Sequence, residues 1–148
     1  MFVRRKQVKG NIYYQLVRNY REDGKHRQQV LCHLGRHKSL EAAIAAEREL
    51  AEVHERGAAH WSEHAQLTKD YCLEAYPDQI SGDLPSRRQA YLQWRSASHI
   101  ISSTDRRHFL ELVYEYHDYM ENAQRHKKWA AAHKDRLNKF LECQRKYF

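Results

Sequence analysis

The sequence predicts an α+β fold: an N-terminal three-stranded antiparallel β-meander packed by a helix, then a mostly α-helical extension ending in one long helix. Three observations predict it. Residues 2–35 are rich in β-branched and aromatic side chains and are interrupted by two glycine-bearing breaks. Beyond Ser39 the apolar spacing changes from alternation to a helical period. From Asp105 to about Lys146 there is neither proline nor glycine.

The first strand is FVRRKQV, the second IYYQLVRNY and the third KHRQQVLCHLG. Lys9-Gly10-Asn11 and Glu22-Asp23-Gly24 separate them, where hairpin turns need residues that accept positive φ. In the second strand Ile12, Tyr14 and Leu16 should point one way, and Tyr13, Gln15 and Val17 the other. In the third, strict alternation puts Val30, Cys32 and Leu34 on one face, with Arg27, Gln29 and His33 opposite. A meander covered on one side should show such a division.

The cover follows directly. Gly35 ends the sheet, Ser39 is a helix N-cap, and Glu41 lies in the first turn. Leu40, Ala43, Ile44, Leu50, Ala51 and Val53 carry the apolar stripe, closing a module of residues 1–56, near the lower size limit for independent folding. Residues 57–148 form the helical extension. Gly57 weakens the first helix, which otherwise continues to about Ala75. The stretch 77–86, from Pro77 past Pro85, reads as a break, and a short helix is expected over Arg88 to Ala97. Ser102, Ser103 and Thr104 offer a cap for the long helix, about 104–146. Its seam, with Phe109, Leu112, Tyr116 and Tyr119 early and Leu137 and Phe140 late, suits a coiled coil or packing back on the first helix.

Charge is the most informative feature. Ten Lys and Arg residues sit in the first 38 positions against only Glu22 and Asp23, giving +8 where the whole chain carries +7. Residues 39–122 sum to −7 and residues 123–148 to +6. Apolar residues make up 41% and mean hydropathy is −0.97, lean for a large core. No apolar run reaches membrane-spanning length, and Arg4, Arg5 and Lys6 stand where a secretory signal would begin. The three cysteines are odd in number and dispersed, so the expectation is a cytoplasmic protein without a disulfide framework.

A basic, aromatic-rich sheet points to a polyanion, and DNA is the expected partner. The candidate contact residues are Arg4, Arg5, Lys6, Lys9, Gln15, Arg18, Arg21, Lys25, Arg27, Gln29, Arg36 and Lys38. Cations supply phosphate contacts, and glutamine amides can reach adenine edges in the major groove, which a β-ribbon can enter. Eleven histidines prompt a test for metal, but only His60 and His64, at i and i+4 with Cys72 beyond, have ligand spacing. No metal site or cofactor is expected. The five glycines never cluster into a phosphate loop and no nucleophile motif appears, so no enzyme is expected.

The stretch VRRKQVKGNIYYQLVRNYREDGKHRQQVLCHLGR resembles the N-terminal leader of bacterial insertion-sequence transposases of the DDE class. Tyr13, Tyr14, Tyr20, Arg21, Glu22, Gly24, Lys25, Arg27, Gln28, Val30, Leu31, Leu34 and Gly35 carry the pattern in order, over about residues 2–36. The resemblance implies a DNA-handling accessory module. It does not extend to an RNase-H-like catalytic domain, for which these residues hold no candidate strands after Leu34. The expected function is therefore non-catalytic DNA binding, transposon-associated or regulatory. Two alternatives use the same residues differently: RNA binding by the basic face, and a helical adaptor or inhibitor that meets a protein partner, or a second copy as a homodimer, through the extension.

Overall fold

The computed structural model describes residues 1–80, 82–96 and 103–148, with the side chains of Gln79 and Ser103 excepted. The order is β1 (Phe2–Val8), β2 (Asn11–Glu22), β3 (Lys25–Gly35), α1 (Leu40–Ala75), a 3-10 turn (Pro77–Gln79), α2 (Arg87–Ser96) and α3 (Ser103–Tyr147). The strands form one antiparallel sheet in the order β1-β2-β3, as the sequence predicts. The expected end of the short helix at Ala97 and the Ser102 cap position lie outside the described residues.

Both hairpins close through two-residue turns. Lys9 and Gly10 have φ of 49° and 81°, and Asp23 and Gly24 have 50° and 73°. Positive φ at both central positions matches the right-handed twist of the flanking strands. Val8 faces Asn11 across the first turn and Glu22 faces Lys25 across the second. Ser39 caps α1, its Oγ accepting from Ala42 N at 3.1 Å. Ser86 and Gln89 form a reciprocal capping box at α2: Ser86 Oγ accepts from Gln89 N at 3.2 Å and Gln89 Oε1 from Ser86 N at 3.0 Å.

The chain separates into two compact units, one of residues 1–53 with 129–148 and one of residues 54–128. In the first, Leu16 and Leu34 of the sheet meet Leu40, Ala43 and Ile44 of α1 and Phe140 and Cys143 of α3. The sheet is thus covered by two helices, one of them drawn from the far end of the chain. Beside this core the buried α1 residue Glu47 accepts from Arg136 Nε at 3.1 Å and lies 2.5 Å from His133 Nδ1.

Strict alternation fails in β3. The register with β2 shifts between Tyr14 and Gln15 and again between Leu16 and Val17, leaving Leu34 and Leu31 as extra residues on β3. Cys32 pairs with Leu16, whereas Val30 pairs with Val17, so these two apolar residues lie on opposite faces. His33 pairs with Gln15 and shares its face with Val30 instead of with Arg27 and Gln29. The bulges let Leu31, Cys32 and Leu34 all serve the helix-covered core.

In the second unit Cys72, Tyr76, Ile80, Leu84, Ala90, Phe109, Leu112 and Val113 form the core. Arg87 bridges Asp118, at 2.5 Å, and Glu121. Trp61 stacks on Tyr119 with ring centroids 5.6 Å apart. Gly57 lies in the unbroken interior of α1, and its missing side chain has a tertiary reason. A Cβ there would meet His126 Nδ1 at 2.5 Å and Cε1 at 2.8 Å. Gly57→Ala gains about 1 kcal/mol of helix propensity but overpacks the imidazole at a cost of about 1–3 kcal/mol. A net loss of about 1 kcal/mol is expected by thermal melting, reversed to a gain when His126→Ala is added. Stabilisation by Gly57→Ala alone would show that the contact does not limit this site.

All three cysteines are free. Burial pushes the Cys32 thiol up to about 11, with neighbouring Cys143 adding to the shift, and burial alone takes Cys72 to about 11. That is opposite to the activation a nucleophilic cysteine needs. No described helix is long and apolar enough to cross a membrane.

Candidate nucleic-acid interface

Register assigns each sheet residue to a face. Phe2, Arg4 and Lys6 of β1 pair with Val17, Gln15 and Tyr13 of β2, and Gln15, Val17 and Asn19 pair with His33, Val30 and Gln28 of β3. Because side chains alternate along a strand, these residues, with Arg21 and its partner His26, share the face turned away from the core helices. The core side carries Leu16 and Cys32, and by the same alternation Arg5, Arg18, Lys25, Arg27 and Gln29.

The twelve candidate residues are therefore not gathered on one surface. Arg4, Lys6, Gln15 and Arg21 stand on the open face. Arg5, Arg18, Lys25, Arg27 and Gln29 lie on the helix side, where the sheet extends past its buried patch and all five are exposed. Lys9 occupies the first hairpin turn, and Arg36 and Lys38 lie in the link from β3 to α1. Several helix-side cations are engaged locally. Arg27 pairs with Glu22 at 3.0 Å, Arg18 donates to Gln29 Oε1 at 2.8 Å, and the Arg18 guanidinium lies 5.8 Å from the Tyr147 ring centroid.

The open face has an organised centre. Arg4 Nη2 donates to Gln15 Oε1 at 2.7 Å and Arg4 Nη1 to Gln28 Oε1 at 3.0 Å. Since Gln15 and Asn19 lie on either side of Val17, and Gln28 pairs with Asn19, the Arg4 side chain reaches diagonally across Val17. Val17 is fully buried although no helix packs on it from this side in the core cluster. Gln15 is itself 5% exposed, and its Nε2 lies 3.0 Å from His33 Nδ1. An amide nitrogen only donates, so His33 Nδ1 accepts and the ring proton sits on Nε2. Gln15 thus orients a guanidinium and an imidazole, and its amide is occupied at both ends. In the sequence it looks like an amide open to a base edge, because burial by same-face neighbours leaves no local signal.

The open face carries three permanent cations and two histidines without a carboxylate. The only acids before residue 39 are Glu22, paired with Arg27, and Asp23 in the turn. Phe2, Val8, Tyr13 and Val30 add exposed apolar surface, each 37–43% accessible. Among the described residues no group of three or more His, Cys, Asp or Glu is placed to hold a metal ion. His60 and His64 instead pack edge to face, with centroids 4.4 Å apart.

Residues 3–65 match the family model of the N-terminal domain of IS1634 family transposases. The matched region takes in the meander from Val3 onward and α1 as far as residue 65, so the chain opens with a segment similar to a transposase N-terminal domain. Comparison with curated proteins and with solved structures finds no match.

Proposed function

We propose that the N-terminal sheet holds double-stranded DNA, in association with a transposon or in its regulation, and that it acts by binding and not by chemistry of its own. The observation that carries this reading is the carboxylate-free open face, with Arg4, Lys6 and Arg21 spread over β1 and β2 among exposed apolar side chains. The three cations all stand on β1 and β2, a two-stranded ribbon with axes about 5 Å apart, which a major groove about 12 Å wide admits. The match to a transposase N-terminal domain supports the same partner. Lys9 in the hairpin turn and Arg36 and Lys38 in the link to α1, with Arg5 and Lys25 reaching from the helix side, would then contribute peripheral phosphate contacts that position the sheet.

Fluorescence anisotropy with a labelled duplex across a salt series tests the proposal. With about five phosphates neutralised, affinity should fall roughly 500-fold between 50 and 200 mM salt. A salt slope near zero would remove nucleic acid as the partner.

A further inference from the structure

The open face is not flat at the end near the first hairpin. A concavity of about 200 Å³ opens there, lined among others by Lys6, Val8, Tyr13, Gln15 and His33. By liquid volume it has room for about seven waters, the scale of one nucleobase. It lies below the range of about 300–1,000 Å³ for sites that enclose a drug-sized ligand. Its chemistry is specific. Lys6 and Tyr13 are direct cross-strand partners, as are Gln15 and His33 one step along the same face. Tyr13 is 38% exposed and offers ring surface, while Val8 supplies an apolar wall. Because Gln15 occupies His33 Nδ1, the imidazole keeps its Nε2–H as a free-standing donor type, and the Lys6 ammonium adds donors and positive charge. None of the lining residues is an acid.

We infer that this concavity binds a single unpaired nucleotide, with its base laid on Tyr13, base acceptors met by His33, and the adjoining phosphate held by Lys6. The inference rests on the DNA-binding reading and adds to it a preference for DNA that exposes a base. A paired base presents only its edge to a groove-bound sheet, whereas stacking on a tyrosine needs a base face. Unpaired ends or extruded bases provide one. The donor-rich, acid-free lining suits the acceptor atoms and phosphate of a nucleotide.

The test compares a blunt duplex, the same duplex with a single-stranded overhang, and that duplex with an abasic overhang. The overhang should bind about tenfold tighter than the blunt end, the effect of one stacked base, and the abasic overhang should bind like the blunt end. Tyr13→Ala and Tyr13→Leu should both bring the overhang-to-blunt affinity ratio from about ten to about one, a ratio that is read independently of any change in blunt-duplex affinity. Tyr13→Phe should keep the preference. Blunt duplex bound with no overhang preference, or a preference that survives both Tyr13 substitutions, overturns the nucleotide site and leaves the groove reading intact. Failure to bind any of the three overturns both.

Discussion

Replacing Arg4, Lys6 and Arg21 together by glutamine should weaken duplex binding about 100-fold, as three lost contacts of about 1 kcal/mol each would. The salt slope should drop by about 2.7, since each neutralised phosphate contributes about 0.9. The matched control replaces Arg5, Lys25 and Arg27, which removes the same charge from the helix side of the sheet. It should cost less than about tenfold, because contacts at the margin of a groove are screened by solvent and salt. Anisotropy at fixed salt reads both variants, and far-ultraviolet circular dichroism confirms the fold. Glutamine is chosen for Arg4 because its side chain covers Val17 and bonds Gln15 and Gln28. Equal losses in the two variants would mean that net charge, and not the open face, holds the DNA.

That contrast exists because the cations of β1–β3 alternate between faces, a division that the basic composition of the segment conceals. The elements themselves were legible. Lys9-Gly10 and Asp23-Gly24 declare hairpin turns through their positive φ, Ser39 declares a helix start through its side-chain oxygen, and Pro77 ends α1. Each is a local signal acting within a few residues. What could not be read depends on distant partners. Gly57 looks like a helix weakness until His126 is packed against it, and Gln15 looks like a base reader until Arg4 and His33 take its amide. Phe140 and Cys143 cover a sheet that lies more than a hundred residues earlier in sequence, and no periodicity links them to it.

The bulges in β3 are the sharpest such case, and they carry the second large prediction. Leu34→Ala should destabilise the first unit by about 2–5 kcal/mol, the range for deleting a fully buried leucine. Leu34 is completely inaccessible and contacts a core shared by β2, α1 and α3. The pinned backbone of a bulge between paired Tyr14–Gly35 and Gln15–His33 leaves little freedom to collapse into the space. Leu34→Met, which conserves volume, should cost less than about 1.5 kcal/mol. Val30→Ala separates the two registers. Unbroken alternation puts Val30 on the same face as Leu34, deep in the core, and predicts a comparable loss. The bulged register puts Val30 on the open face, where it is 37% exposed, and predicts a loss of under about 1 kcal/mol. Guanidinium denaturation of the three variants, with hydrogen exchange of the β2 and β3 amides to localise the effect, measures the difference. A Val30→Ala loss matching that of Leu34→Ala would return Val30 to the core and dissolve the open face on which the DNA-binding reading depends.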